Sequence, residues 1–339
     1  MFKKALLAGV ALSAFLTGSA MAAGVSGDKV VIGVLTDLSG VYTDISGKGS
    51  ILAAEMAVAE FGGKVLDKPI EILSADHQNK ADIAANVARE WIDTKGADVM
   101  VDLVNSAAGL AVQGVGKEKG IVTINTGAAS VRLTQKECSP TGFHWIYDTY
   151  ALAHVTPPVI IAEGGNTWFI MTADYAFGHS LEADAMAVVK ELGGTVVGSV
   201  RHPFPSSDLS SFLLQAQASG AKVIALANAG QDTINSVKQA AEFGIVSGGQ
   251  KLVALLAFDT DIHSLGLELG QGLTVTTGFY WDLDDETRAF SKKFFDKFGK
   301  MPTMVQAAVY SGTLHYLNAV KASGTDEGAV VAAKMRETR

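Results

Sequence analysis

Apolar and polar positions follow two rhythms along this chain. Short β-branched runs end in small polar turns. Between them lie longer stretches whose apolar residues recur every three or four positions. The first rhythm predicts buried strands and the second predicts helices with one buried face. Strands are expected at 29–36, 69–75, 99–104 and 121–124, alternating with helices from Ser46 or Ser50 through Phe61, over 80–94 and over 107–119. Gly62-Gly63 closes the first of these helices. Near Trp145-Ile146-Tyr147-Asp148 the pattern breaks and then starts afresh. Strands follow at 166–172, 195–201, 222–227 and 250–257, with helices over 177–192, 208–219 and 231–243. A short β run at 274–278 and helices over 284–298 and 304–323 complete the series. Alternation of this kind predicts parallel α/β sheets, and each of the two series has the size of one domain.

Two of the turns carry candidate chemistry. The run 99–104 stops at Asn105-Ser106, where a helix opens, and the run 121–124 stops at Asn125-Thr126-Gly127. In an open parallel sheet, ligands bind beyond the carboxyl ends of the strands. The free N–H groups and positive dipole end of a helix start attract an anion there. Asn105, Ser106, Thr126 and Gly127, with the backbone N–H groups of Ala107 and Ala128, therefore form an expected cradle for a small carboxylate. The plainer alternative is that Asn105 and Ser106 only cap the helix.

Composition narrows the class. Of 339 residues, 48% are hydrophobic and 18% charged, which fits a globular chain long enough for two cores. The formal charge is −8 and no basic cluster occurs, so nothing favours a nucleic-acid partner. Lys3-Lys4, the apolar stretch 5–16 and Ala20-Met21-Ala22 have the form of a cleavable export signal over 1–22. The mature protein is expected to be soluble and exported. Cys138 is the only cysteine, which leaves no disulfide framework and no cysteine metal site. The glycine-containing stretch 114–120 follows a helix and precedes a strand, the reverse of a dinucleotide loop. No cofactor and no metal are expected. His77 reads as a solvated loop residue, and His179 and His202 as structural ones.

Two similar lobes on one exported chain suggest a clamp. The stretches VVIGVLTDLSG, AAEMAVAEFGG, SADHQNKADIAANVAREWID, INTGAASVRLT and IMTADYAFGHSLEADA resemble, in order and spacing, the type I periplasmic solute-binding proteins of ABC importers, in their Leu/Ile/Val-binding branch. The resemblance runs from about Lys29 to the end of the sequence. It implies two doubly wound Rossmann-like lobes joined by a multi-crossover hinge, with the ligand in the cleft between them. It also implies a periplasmic location and delivery to an inner-membrane ABC permease. The expected division is a signal over 1–22, lobe 1 over 23–147, lobe 2 over 148–278 and a return to lobe 1 over 279–339. The family pattern has a further segment that re-enters the second lobe, so the C-terminal part reads as truncated.

Further cleft candidates follow from position. The loop after the first strand offers Tyr42. The second lobe offers Tyr175 and Phe177, then Asn228 and Ala229, then Phe258 and Asp259. By resemblance, the position of Phe177 is an aromatic that covers the ligand, and Asp259 stands where amino acid binders carry an acid for the α-ammonium group. Small residues at 227–230 leave room, Tyr42, Tyr175 and Phe177 can flank a ring, and Asn228 is a candidate donor to a ring hydroxyl. A simple aromatic or phenylpropanoid carboxylate is the favoured ligand, with branched-chain or other amino acids as the alternative. The orientation of Asp259 decides between them, because an unpaired buried charge is costly. A monomeric binding component of an importer is the first reading. A ligand sensor for a membrane receptor shares every feature of it. An exported α/β hydrolase needs a nucleophile–base pair or metal site that the sequence does not display.

Overall fold

The computed structural model describes residues 24–337, so the expected signal segment lies outside the described residues. The chain runs β1 (Val30–Thr36), α1 (Gly47–Phe61), β2 (Lys64–Val65), β3 (Lys68–Asp76), α2 (Ala81–Glu90), β4 (Ala97–Asp102), α3 (Ser106–Lys119), β5 (Val122–Asn125) and β6 (Gly142–His144). It continues with α4 (Thr149–Ala162), β7 (Thr167–Ala173), α5 (Ala176–Glu191), β8 (Thr195–His202), α6 (Ser210–Ala218), β9 (Val223–Ala227), α7 (Gln231–Glu242) and β10 (Lys251–Ala254). The short helices α8 (Asp259–Leu265) and α9 (Leu267–Gly270) precede α10 (Asp285–Phe298), α11 (Met304–Ser323) and α12 (Gly328–Glu337).

The strands form two sheets, ordered β2-β3-β1-β4-β5-β6 and β10-β9-β7-β8, parallel throughout except for the short β2–β3 pair. Strand β1 is buried at every position, as expected of a central parallel strand covered on both faces. Alternate residues serve opposite layers. Val30, Ile32 and Val34 pack with α1, α10, α11 and α12 through Ala53, Phe294, Leu317 and Val331. Val31 and Leu35 pack with α2 and α3 through Ala84, Ala88, Ala108 and Val112. In the second sheet, Trp168 and Ile170 meet α4 and α5 through Leu152, Ile160, Leu181 and Val189, while Phe169 and Met171 meet α6 and α7. The chain thus leaves the first sheet after β6, builds the second, and returns to cover the first with its last three long helices.

Several expectations need correction. The run 274–278 forms no strand. Its β-branched residues lack a neighbouring strand to pair with among the described residues, and the segment stays irregular. The helix expected over 80–94 is α-helical only to Glu90 and ends in a wider π turn over Trp91–Lys95. Helix α4 was not expected, because its surface is apolar nearly all round and it contains Pro157-Pro158, a normal helix breaker. Helix α12 and the three-residue strand β6 were not expected either. His77 is fully buried rather than solvated. Burial pushes its imidazole down to about 4, opposed by Asp37 and Asp76, and its Nδ1 accepts from the Asn79 N–H.

Candidate functional site

A cavity lies between the two sheets, and every residue that lines it stands beyond the carboxyl end of a strand. Tyr42 and Ile45 follow β1, Val104 and Ser106 follow β4, Gly127 follows β5 and Tyr147 follows β6. From the other side come Tyr175 and Phe177 after β7, Ala229 after β9, and Leu256 and Phe258 after β10. Both sheets thus present the edge where parallel α/β folds place ligands.

On the first-sheet side, buried carboxyl groups shape the turns. The Asp37 Oδ1 accepts from the Gly40 N–H at 2.7 Å, and its Oδ2 accepts from the Tyr42 N–H at 2.9 Å and from Asn79 Nδ2 at 2.6 Å. These bonds fix the loop that carries Tyr42. Asp102 and Leu103 adopt successive left-handed conformations, φ 79° and 57°, in which residues with a Cβ are strained. The Asp102 carbonyl accepts from the N–H groups of Thr126 and Gly127 at 3.0 and 3.2 Å. Burial pushes its carboxyl up to about 7, opposed by the nearby hydroxyls of Thr36, Ser50 and Thr126, which favour the charged form.

Helix α3 then begins with Asn105 as its cap, whose Oδ1 accepts from the N–H groups of Ala107 and Ala108 at 2.9 and 3.1 Å. Asn105 and the Ala107 N–H are therefore committed to the helix start and do not face the cavity. Thr126 is likewise turned inward, its hydroxyl 3.4 Å from the Asp102 carboxyl. Ser106 does line the cavity. Its Oγ accepts from the N–H groups of Ala129 and Ser130, both at 3.1 Å. Both acceptor positions are used, and the hydroxyl hydrogen has no acceptor among the described residues. Ser106 is thus left as a donor. Ala128 is buried beside this turn but does not line the cavity.

The second-sheet side is aromatic. Phe204 stacks on Tyr175, with ring centroids 4.1 Å apart and planes at 20°, and on Tyr42 at 5.6 Å. Tyr147 meets Phe258 edge-on at 6.5 Å, and its hydroxyl donates to the Gly127 carbonyl at 2.8 Å. Asn228 does not reach the cavity. Its Nδ2 bonds His202 Nε2 and Ser236 Oγ at 3.2 and 3.0 Å, and its Oδ1 accepts from the Thr233 hydroxyl at 2.8 Å. Asn228 secures the start of α7 and has no group free for a ring hydroxyl. Asp259 also lies outside the cavity, beside Trp281 and His263 in a neighbouring groove. Its carboxyl is pushed up by burial and accepts from the Thr260 N–H.

Of the thirteen sequence candidates, Tyr42, Ser106, Gly127, Tyr175, Phe177, Ala229 and Phe258 come together in the cavity. Ile45, Val104, Tyr147 and Leu256 were missed. They are apolar or aromatic and only their place at strand ends could have marked them. No lining side chain is ionisable except the tyrosines. Helices α3, α5 and α7 all start at this cavity, so partial positive charge gathers there without a lysine or arginine. The two sides also touch. The Tyr42 and Tyr175 hydroxyls hydrogen-bond, the Gln231 N–H donates to the Val41 carbonyl at 3.3 Å, and Ser130 Oγ meets Ser180 Oγ at 2.7 Å. In this closed arrangement the cavity has a free volume of about 10 Å³, about one water molecule's room.

Known proteins share this arrangement. A family model described as periplasmic binding protein matches residues 29–339. A periplasmic binding protein of Burkholderia mallei is 51% identical, with a TM-score of 0.90, over 92% of this chain and 83% of its own. A branched chain amino acid ABC transporter periplasmic ligand-binding protein of Burkholderia xenovorans is 42% identical, with a TM-score of 0.80, over 91% and 83%. A solute binding protein of an ABC transporter from Rhodopseudomonas palustris, in complex with p-hydroxybenzoic acid, is 25% identical, with a TM-score of 0.82, over 91% and 84%. Among the described residues no helix is long and apolar enough to cross a membrane. Fold and sequence agree, and the chain belongs to the periplasmic binding proteins of ABC transporters, in the branch that resembles the Leu/Ile/Val-binding proteins.

Proposed function

We propose that this protein binds a small aromatic carboxylate between its two lobes and delivers it, as a periplasmic monomer, to an inner-membrane ABC permease. One observation carries the ligand class. The cavity pairs an unsatisfied hydroxyl donor, Ser106, and three helix starts with a wall of Tyr42, Tyr147, Tyr175, Phe177 and Phe258, and no carboxylate lines it. An acid group is favoured at the donor end and a ring against the aromatic end, once the two sides part from the present arrangement to admit it. An ammonium group finds no acidic partner, because Asp259 lies in the neighbouring groove. The p-hydroxybenzoic acid held by the Rhodopseudomonas relative supports this reading. The division of the chain at 147/148 and 278/279, with a signal over 1–22, belongs to the same proposal.

A branched-chain amino acid is the second reading, favoured by the name of the 42% identical Burkholderia relative. A thermal-shift screen of benzoate, 4-hydroxybenzoate, hydroxycinnamates, aryl pyruvates, leucine and valine separates the two. Aryl acids are expected to raise the melting temperature. Stabilisation by leucine or valine with none by any aryl acid would overturn the ligand class and leave the clamp standing.

A further inference from the structure

We propose that Ser106 couples acid recognition to closure of the cleft, and that Ser130 and Ser180 are the latch through which it acts. This rests on the reading of Ser106 as the group that meets the ligand's acid.

The geometry is short and closed on itself. Ser106 Oγ accepts from the N–H groups of Ala129 and Ser130, so this one oxygen holds the turn in which Ser130 sits. The Ser130 side chain leaves that turn, crosses to the other side of the cleft and meets Ser180 Oγ at 2.7 Å. Both serines are buried, at 0% and 8% exposure, so the bond is shielded from competing water. Ser180 lies on α5, three residues after Phe177, and residues at that spacing share one helix face. Helix α5 therefore carries an aromatic wall of the cavity and one half of the latch as a rigid unit. On the opposite side, Ser106 and Ser130 are a second unit.

A carboxylate that accepts the Ser106 hydrogen makes its oxygen a better acceptor, because hydrogen bonds in a chain polarise one another. The Ala129 and Ser130 N–H bonds tighten, and Ser130 is held in the position that meets Ser180. A ligand that touches only the ring wall leaves the latch unassisted. Closure is thereby favoured by ligands that interact with both sides, as a population shift requires.

The latch is tested with cysteines. Cys138 is exposed and unpaired, so it is replaced first (Cys138→Ser), and Ser130→Cys and Ser180→Cys are added. Under diamide, which takes up the two electrons and two protons released, a disulfide is expected to form between the two cysteines without ligand. Small-angle scattering should show a more compact oxidised form that reverts with dithiothreitol. Adding Ser106→Ala should slow this ligand-free cross-linking severalfold, because the turn bearing residue 130 loses its anchor. Absence of cross-linking, or a rate indifferent to Ser106→Ala, overturns the proposal. A separate arm uses Ser180→Ala with 4-hydroxybenzoate and with leucine. The probe that binds should do so about three- to tenfold more weakly, mainly through faster release, the effect of about one lost hydrogen bond. Threonine at 180 should restore part of it. Unchanged affinity and release would count equally against the latch. Failure of 4-hydroxybenzoate with success of leucine refutes the aromatic ligand alone. The ligand-free cross-linking still decides the latch.

Discussion

The two walls of the cleft hold their polar groups in opposite ways. On the first-sheet side, Asp37 and Asn105 hydrogen-bond the backbone of their own turns, the Asp102 carbonyl accepts from the N–H groups of the neighbouring turn at Thr126 and Gly127, and Ser106 lines the cavity with its hydroxyl hydrogen unclaimed among the described residues. On the second-sheet side, Asn228, His202, Ser236 and Thr233 satisfy one another behind the wall, and the wall itself is built from Tyr175, Phe177 and Phe258. On the proposed reading, the first side recognises a charge and the second a shape. A small-molecule site needs a few placed polar groups on mostly apolar walls, and here the placed hydroxyl lies on the first side and most of the aromatic wall on the second.

Removing the charge-recognising group should have the largest effect. Ser106→Ala is expected to weaken binding of an aryl acid by about one to two decades in Kd, since a hydrogen bond to a charged group contributes roughly 1.5–3 kcal/mol. Thr126→Ala, at the same wall, should change melting temperature and leave affinity within about twofold, because its hydroxyl is turned to Asp102. Calorimetry on both variants decides the matter, and equal losses of affinity would restore Thr126 to the binding surface.

Phe177→Ala probes the other wall. A ring-to-ring contact contributes about 0.5–1.5 kcal/mol beyond burial, so affinity for benzoate should fall by roughly tenfold once burial is included. A small aliphatic acid such as propionate should lose much less. Equal losses for both acids would show that Phe177 shapes the protein and not the ring site.

Behind the same wall, Asn228→Ala should lower stability by about 1–3 kcal/mol, since it strips partners from buried His202, Thr233 and Ser236. Ligand affinity is expected to stay within about twofold. A tenfold loss of affinity without a change in melting temperature would contradict the internal role assigned to it.

The smallest effect is a slope with pH. Asp102 on one side and Asp232 on the other are both pushed up to about 7 by burial. Each holds a proton in the folded state that the unfolded chain releases above about 4. The folded state therefore binds more protons between these values, and stability from these groups falls as pH rises from about 4 to 7. Asp98 and Asp261, also pushed up to about 7, act in the same direction, while His77, pushed down to about 4, opposes them. Melting temperatures should therefore decline over that range, the direction set by these buried carboxyls. Asp102→Asn and Asp232→Asn should each flatten the decline. A melting temperature that rises from pH 4.5 to 7 would refute this account.

The sequence by itself determined the layers and the strand ends at which the cavity lies. Short apolar runs and three-to-four-residue periods are local properties, so VVIGVLT declared a buried strand and the stretch 107–119 declared a helix without any knowledge of their neighbours. The rule that ligands sit at strand carboxyl ends then placed Tyr42, Ser106, Tyr175, Phe177 and Phe258 correctly at the cavity. Direction was not legible. Asn105, Thr126, Asn228 and Asp259 occupy the same kind of strand-end turn, yet their side chains turn to a helix cap, a buried carboxyl, a histidine network and a neighbouring groove. Which way a polar side chain faces depends on which unsatisfied partner lies nearest in space: for Asn105 that is the next helix turn, the local alternative, whereas Thr126 finds Asp102 and Asn228 finds His202 on elements distant in sequence. The same reason hid Tyr147, placed at the cavity by the crossing between sheets, and α4, whose Pro157-Pro158 pair sits within a helix on the second sheet. The meeting of Ser130 with Ser180, fifty residues apart, was likewise decided only when the two sheets closed on each other.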